Sequence, residues 1–508
     1  MPRSRALWLL LTVGLALRLF YGLAQDPLAP YGPTGGDDTW YLANALALVT
    51  DAPPGTAING ISTEVRTLGQ PPMFFIAAGI PQALLPPGPA VLALRILQAL
   101  ATTAVAFFGF GLAVQLVRGL PHANAATAHR AGLIAAGALA LSPALILESA
   151  QVKTESLFIF FVMGGMWAYV EALTRSRSSM ALIPHPFVPR KPGEGENEGG
   201  AQHAAPLQPT DSVVGARRAL PLQNPPRPEG EGSRVRANAW RWWIAAGALL
   251  GLAALTRAVF LLFPLALVVF TLFALGGRPG WKPALALLAV YAAVVLSWTA
   301  YNLVRYQRFV IAGEGLPAFL YIGATGWDDP QEVDQRLEDT LGPAENGSRS
   351  SGDFLNAAGS AIGADLPGYL ARRLGELGSA LLQPHNVELF AGASLRGMAL
   401  NWWNTDRSPG GLLALTNGDG FWPKLLLYVV HYSAMILGAA GLLLTRHNWR
   451  AALPLLGFIA YTLLVHLFLL ALPRYLFPIM PFVWVFAGTA VAVWSTKQAR
   501  ALSTGSVL

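Results

Sequence analysis

The feature that most constrains this chain is its series of long apolar runs. The mean hydropathy is +0.45 and only 12% of the 508 residues are charged, whereas soluble domains are about 25% charged. Most runs are long enough for a helix that crosses a hydrocarbon core about 30 Å thick. The sequence therefore predicts an all-α polytopic membrane protein with about ten transmembrane helices. The runs lie at residues 6–25, 92–117, 131–149, 156–174, 240–256, 258–276, 283–301, 424–445, 451–472 and 475–495.

The distribution of basic residues predicts the orientation of these helices. If the N-terminus is cytoplasmic, 20 of the 35 Lys and Arg residues fall in cytoplasmic segments, whereas most of the 28 Asp and Glu residues fall elsewhere. This asymmetry follows the positive-inside rule, and ten spans place both termini in the cytoplasm. Basic loops that face anionic lipid also account for the pI of about 9.7 without a nucleic-acid partner.

The first apolar run is expected to be a retained helix. Arg3 and Arg5 precede it, as in a signal peptide. However, Arg18 interrupts the run and no clear small-residue cleavage site follows it. The sequence contains no cysteine, so neither disulfides nor thiolate chemistry contribute.

Composition divides the chain into six segments. Residues 176–238 are rich in Pro, Gly, Glu, Arg and Ser, which cannot bury enough apolar surface to offset the entropy of folding. Residues 302–423 keep aromatic and Leu residues throughout, which is typical of a folded external subdomain. The segments are an N-terminal membrane half at 1–175 with its first outer loop at 26–91, a disordered cytoplasmic linker at 176–238, membrane helices at 239–301, a partly helical external subdomain at 302–423, C-terminal membrane helices at 424–496 and a cytoplasmic tail at 497–508. Short interfacial helices are expected in the first outer loop.

Two adjacent carboxylates, Asp37 and Asp38, follow the first apolar run in the stretch GGDDTWYLANALALV. The simplest interpretation is a helix cap, because Asp accepts hydrogen bonds from the free N–H groups of the first turn.

Other polar residues also lie at the outer ends of the predicted helices. Each alone is typical of an interfacial anchor, but independent anchors should occur on both faces, so the clustering predicts an outer-face site. These residues are Gln70 in QPPMFF, Lys153 and Glu155 in VKTESLF, Arg257 in LTRAVF, Asn302 and Arg305 in SWTAYNLVRYQRF, and Arg474 and Tyr475 in PRYLFPIMPF.

This ordered set of motifs resembles the polytopic glycosyltransferases of the C-type superfold (GT-C), which include protein O-mannosyltransferases and the lipid A aminoarabinose transferase. DDTWY resembles the acidic motif of the first outer loop, and QPP resembles the paired prolines that follow it. TESLF, LTR, SWTAYN and RYLFPIMPF then occur in the expected order. Two motifs depart from the family pattern. Gln70 stands where relatives often have a basic residue or His, and Ser297 and Tyr301 stand where Pro and Arg are common. A phosphate contact near Tyr301 would then pass to Arg305.

The resemblance implies transfer of a sugar from a polyprenyl-phosphate donor, with inversion, outside the cytoplasm and at the plasma membrane. A base must take the proton of the attacking hydroxyl, and the resemblance assigns this role to Asp37. Phosphate leaves without a second carboxylic acid, unlike the leaving group of a glycosidase. Positive charge is needed instead where negative charge grows on the phosphate. The candidate cations are Lys153, Arg257, Arg305 and Arg474.

The remaining candidates would position substrates. Asp38 would orient Asp37 or an acceptor group, and Tyr41 would lie on the same helix face. Glu155 would hold Lys153 or a sugar hydroxyl. Gln70, Tyr475 and Asn302 would line the site.

Several alternatives stay open at this point. No metal is expected to be obligatory, although Mg²⁺ or Mn²⁺ could be shared between a carboxylate and the phosphate. The acceptor could be a lipid, a glycan or a protein. A lipid-linked sugar transporter would instead favour mid-span ionisable residues and symmetric halves, and a non-catalytic relative would bind the polyprenyl lipid without turnover.

The charge asymmetry predicts that residues 210 and 340 lie on opposite sides of the membrane. Because the chain has no cysteine, a single cysteine at each position can be labelled in intact cells with a membrane-impermeant maleimide. Labelling is expected at 340 alone. Labelling of both positions from outside would refute the topology.

Overall fold

A computed structural model describes residues 4–31, 37–50, 56–58, 61–63, 70–120, 123–181, 231–277, 279–313, 315–326, 335–336, 338–339, 351–387 and 421–505. This part of the chain is almost entirely helical, and it includes one small antiparallel hairpin in which Thr56 pairs with Thr63. The hairpin strands are β1 (Thr56–Ile58) and β2 (Ile61–Thr63). The helices are α1 (Arg5–Ala24), α2 (Asp37–Thr50), α3 (Pro72–Leu84), α4 (Pro87–Arg118), α5 (Ala125–Ala140), α6 (Pro143–Glu148), α7 (Glu155–Ala181), α8 (Glu231–Ala254), α9 (Phe263–Ala274), α10 (Trp281–Tyr306), α11 (Leu316–Thr325), α12 (Ser351–Ala364), α13 (Leu366–Leu382), α14 (Phe421–Thr445), α15 (Trp449–Phe468), α16 (Pro473–Leu476) and α17 (Met480–Gly505).

The all-α polytopic class is confirmed, whereas the count of ten spans is not. In the described chain, six segments are long and apolar enough to cross a membrane. The predicted runs at 131–149 and 258–276 contain shorter helices, α5 with 16 residues and α9 with 12, which at 1.5 Å per residue extend less than 30 Å. The predicted runs at 424–445 and 451–472 fall in one segment, in which a 3₁₀ turn at Arg446–Asn448 separates α14 from α15. The six segments are Arg5–Ala24, Pro87–Arg118, Glu155–Ser178, Trp281–Tyr306, Lys424–Phe468 and Pro473–Thr496.

Helix α4 lies at the centre of the membrane part. It packs against α1, α3, α5, α7 and α17, while α8 bridges α7 and α10. Several predicted segments, including the first outer loop, the linker and the external subdomain, fall partly outside the described residues. Helices α7 and α8 extend into both ends of the predicted linker, and residues 182–230 between them lie outside the description. Helices α11, α12 and α13 lie in the predicted external subdomain, of which residues 388–420 are not described.

Three buried arginines satisfy backbone carbonyls at the C-terminal ends of helices. Such carbonyls have no partner within their own helix, and a cation there also interacts favourably with the helix dipole. Without water nearby, an unsatisfied carbonyl would cost free energy, which explains these charges within an apolar fold. Arg18 donates to Leu139 O and Ala140 O at the end of α5, Arg95 to Gly22 O and Gln25 O at the end of α1, and Arg373 to His466 O and Leu467 O at the end of α15.

The close packing of α2 on α3 depends on a glycine. A Cβ atom added at Gly79 would collide with the carbonyl oxygen of Ala45 and the side chain of Val49. Around this crossing the rings of Trp40, Tyr41 and Phe75 lie edge to face or tilted, with centroids 5.2–5.9 Å apart. The contact therefore fixes the position of the helix that begins at Asp37.

Replacing Gly79 by Ala is expected to destabilise the protein by about 1–3 kcal/mol, because the added methyl group overpacks the crossing. Gly363→Ala is the matched control, since nothing lies within 4 Å of the added Cβ and Ala favours a helix by about 0.5–1 kcal/mol over Gly. Thermal unfolding in detergent should therefore show a lower Tm for the first variant only. Equal Tm values would contradict the close approach.

Candidate active site

A cavity of about 340 Å³ opens where α2, α7, α11, α15 and α16 meet the turn after α8. Six of the predicted site residues line it: Tyr41, Gln70, Glu155, Arg257, Arg474 and Tyr475. Much of the remaining wall is apolar, with Leu316 and Phe319 from α11 and Leu469 from the end of α15. Residues separated by more than 400 positions in the sequence thus converge on one cavity.

An ion pair between Glu155 and Arg257 forms one side of the cavity. Arg257 Nη1 lies 3.3 Å from Glu155 Oε1, and the two side chains are only 11% and 4% exposed. Glu155 is the first residue of α7, where the helix dipole favours a carboxylate. Arg257 has an extended backbone, with φ −146° and ψ 112°, between α8 and the 3₁₀ turn that precedes α9. The ion pair therefore ties the start of α7 to this turn.

The ring of Tyr475 lies close to two cations. The guanidinium carbons of Arg257 and Arg474 each lie 4.9 Å from the ring centroid, within the range of attraction between a cation and an aromatic ring. Arg474 Nη2 also donates a hydrogen bond of 3.0 Å to the Tyr475 hydroxyl. Tyr475 thus contacts both guanidinium groups.

The described residues that line the cavity include two arginines and one glutamate. They carry an excess of one positive formal charge when His466 is neutral. Positive charge that is shielded from water is costly unless an anion accompanies it. Guanidinium groups in this setting can bind an anionic ligand through several N–H donors.

Tyr41 supplies a hydrogen-bond donor on another wall. Burial raises the pKa of its phenol well above the usual value of 10, the Glu155 carboxylate raises it further, and Arg474 and Arg257 oppose the rise. The hydroxyl therefore stays protonated at neutral pH.

The other predicted site residues do not line the cavity. Lys153 is half-buried two residues before the start of α7, and Arg305 is exposed, with its guanidinium 5.6 Å from the Tyr306 ring. Asn302 is buried on α10, and its side-chain Oδ1 and Nδ2 have no hydrogen-bond partner among the described residues. Asp38 is half-buried in the first turn of α2 and interacts electrostatically with Arg95. These placements do not test the predicted roles.

Asp37 begins α2, and its side chain lies outside the described part of the structure. Its backbone position is one helical turn before Tyr41, which lines the cavity. Residues four apart lie on the same helix face. Position 37 is therefore on the face of α2 that carries a cavity residue.

Three aromatic residues of the cavity, Trp40, Phe319 and His466, were not predicted from the sequence. Trp40 lies inside the DDTWY motif but carries no charge, and Phe319 lies in none of the motifs. His466 lies near the end of an apolar run, and an ionisable residue in such a run by itself indicates function. The sequence therefore contained a signal that could have predicted His466 as a site residue. Among the described residues, no group of three His, Asp or Glu side chains forms a metal-binding cluster.

A scan against protein-family models and a search of curated proteins find no match. Solved structures do match. The chain is similar to the oligosaccharyltransferase of Archaeoglobus fulgidus tethered to an acceptor peptide with an NVT sequon, with 14% identity, a TM-score of 0.51, and coverage of 98% of this chain and 50% of that one. The chain has the GT-C fold.

Two further structures were found at lower similarity. The oligosaccharyltransferase AglB from A. fulgidus, in complex with an inhibitory peptide and a dolichol-phosphate, aligns with 14% identity and a TM-score of 0.48, over 98% of this chain and 51% of that one. ArnT from Cupriavidus metallidurans, bound to undecaprenyl phosphate, aligns with 15% identity and a TM-score of 0.35, over 96% of this chain and 78% of that one. The chain spans about half the length of the oligosaccharyltransferases that it matches.

The buried ion pair predicts a strongly non-additive effect on stability. Arg257→Met leaves the Glu155 carboxylate buried without this partner and is expected to cost about 3–5 kcal/mol. Adding Glu155→Gln removes the buried charge and should restore part of the stability. Thermal unfolding of the two single variants and the double variant measures the coupling.

The matched control is Arg175→Met. Arg175 pairs with Glu171 at 2.6 Å, but its side chain is 38% exposed, so the loss should be at most about 1 kcal/mol. Additive effects at Glu155 and Arg257 would contradict the ion pair.

Proposed function

We propose that the chain is a membrane glycosyltransferase that transfers a hexosyl or pentosyl group from a polyprenyl-phosphate donor. The acceptor would be a lipid, glycan or protein outside the cytoplasm, and transfer would invert the anomeric carbon. The site would face outward from the plasma membrane. The observation that carries this proposal is the cavity in which Arg257 and Arg474 both contact the ring of Tyr475.

The fold supports a transferase of this kind. The solved structure with a TM-score of 0.51 is an oligosaccharyltransferase tethered to an acceptor peptide. Glycan transfer is thus a known use of this fold, although fold alone does not determine chemistry. The cavity residues support the donor class instead.

The two arginines suit a leaving phosphate. Guanidinium groups donate several hydrogen bonds in a fixed plane and stay charged, so they can bind phosphate oxygens and stabilise the charge that grows as the sugar–oxygen bond breaks. Glu155 fixes Arg257 through the ion pair, and the ring of Tyr475 contacts both guanidinium groups. Since these two groups supply positive charge, the proposal needs no metal, and Lys153 and Arg305 are left without a direct role.

Asp37 is proposed as the general base. Its position on the Tyr41 face of α2 suits a group that acts at the cavity. The acceptor hydroxyl would lose its proton to the Asp37 carboxylate while its oxygen bonds to the anomeric carbon, and the phosphate would leave with the electron pair of the broken bond. Asp38 would orient its neighbour.

Asp37→Asn is expected to lower the transfer rate by about 10²–10⁴ and to leave donor binding largely unchanged, because the amide keeps the shape but removes the base. Asp38→Asn should cost less. The measurement is single-turnover transfer in membranes, followed as release of undecaprenyl phosphate. Asn caps a helix about as well as Asp, so full activity in Asp37→Asn would mean that Asp37 is only a cap.

Arg474→Ala is expected to weaken donor binding and turnover together, because a cation that faces phosphate acts in the ground state and the transition state alike. Arg305→Ala is the matched control, since Arg305 is exposed and does not line the cavity. The KM and kcat of both variants should be compared with those of the wild type. Loss of activity in Arg305→Ala alone would place the phosphate elsewhere.

A further inference from the structure

His466 is a cavity residue to which the proposed mechanism gives no role. It lies in the last turn of α15, is 5% exposed and lines the cavity. Its ring is stacked on that of Tyr475, with centroids 5.4 Å apart and planes 13° apart. It therefore belongs to the group that includes the two arginines.

The hydrogen bond of the ring determines which nitrogen is available. Nδ1 lies 2.9 Å from the carbonyl oxygen of Leu470. A carbonyl can only accept a hydrogen bond, so Nδ1 carries the proton and Nε2 of the neutral ring carries a lone pair. Within the described chain Nε2 makes no hydrogen bond. The cavity thus contains a hydrogen-bond acceptor that has no donor among the residues that the structure describes.

The backbone around His466 is held from α13. Arg373 donates to the carbonyl oxygens of His466 and Leu467, and the Tyr369 hydroxyl donates to Phe468 O at 2.9 Å. These contacts fix the end of α15, and the Leu470 contact fixes the ring plane. Nε2 therefore has a defined position in the cavity before any ligand binds, as a specificity group requires.

The chemistry of Nε2 selects its partner on the donor. Phosphate oxygens are acceptors at neutral pH, so they cannot pair with a lone pair, whereas sugar hydroxyls can donate. The centroid of the His466 ring lies 5.4 Å from that of Tyr475, and the guanidinium carbons of Arg257 and Arg474 each lie 4.9 Å from the same Tyr475 centroid. The distance from His466 to either guanidinium group is therefore at most the sum of these two values. The sugar is bonded directly to the phosphate, so it would lie within this range.

We propose that His466 is a specificity-determining residue that accepts, through Nε2, a hydrogen bond from a hydroxyl of the sugar on the polyprenyl-phosphate donor. This inference rests on the proposed function, because it assumes that the phosphate binds at Arg257 and Arg474. It adds that the site recognises the sugar as well as the lipid phosphate.

The test compares four lipids by equilibrium binding to the full chain in nanodiscs: undecaprenyl phosphate and its mannosyl, glucosyl and arabinosyl derivatives. The wild type should bind at least one glycosylated lipid about tenfold more tightly than undecaprenyl phosphate, the effect of one hydrogen bond. His466→Asn keeps an N–H that can reach Leu470 O but lacks Nε2. This variant should bind undecaprenyl phosphate normally and lose the tenfold preference, whereas His466→Gln, with an acceptor near the Nε2 position, should recover part of it.

His431→Asn is the matched control. His431 is also buried on a helix, and one of its ring nitrogens lies 2.9 Å from Leu381 O, but it does not line this cavity. The preference should be unchanged in this variant. A preference that persists in His466→Asn, or a wild type that binds all four lipids equally, would overturn the role of His466 and leave the phosphate site intact. No binding of any lipid would reject the proposed donor class and this inference together.

A chemical probe of the wild type covers the case in which His466→Asn does not fold. Diethyl pyrocarbonate acylates the unprotonated nitrogen of a neutral imidazole, so Nε2 of His466 should be modified. The exposed His447 serves as an internal reference. The preferred glycosylated lipid should protect His466 more than undecaprenyl phosphate does at equal occupancy. Equal protection by the two lipids would contradict the contact.

Discussion

The arrangement of the cavity depends on one buried ion pair, between Glu155 and Arg257. It joins the first residue of a long membrane helix to a turn between two others, and both side chains are nearly inaccessible to water. In a low-dielectric setting such a pair is stable only when its charges stay together. Arg257 then meets Tyr475, which also contacts Arg474 and His466. Three regions far apart in sequence, around residues 155, 257 and 466–475, are thereby positioned around one cavity.

A second constraint comes from the lipid environment, where helix ends need partners from within the protein. Arg18, Arg95 and Arg373 supply them at the ends of three helices. Arg373 links this structural role to the cavity, since it holds the end of the helix that carries His466. Stabilisation of the fold and preparation of the site are thus done by the same kind of contact.

The sequence predicted the class of fold and much of the cavity, for identifiable reasons. Apolar run length sets the membrane class, and charged residues at helix ends are rare enough that Glu155, Arg257 and Arg474 stand out. The number of spans was not predictable in this way, because hydropathy does not show where a run is divided into short helices, as in α5 and α9. Nor does it show which charged residues at helix ends meet: Arg305 has the same pattern as Arg474 but is exposed. His466 gave a signal that could have been used, whereas the α11 wall, with Phe319, gave none.

The central claim is that Arg257 and Arg474 form the phosphate site of a lipid-linked sugar donor. An experimental structure of the full chain in nanodiscs with undecaprenyl phosphate tests it most directly, through the distances from the phosphate oxygens to the two guanidinium groups. The account predicts hydrogen bonds of about 2.7–2.9 Å from both arginines to the phosphate. A bound lipid whose phosphate lies outside this cavity, with Arg257 and Arg474 contacting only protein groups, would contradict it.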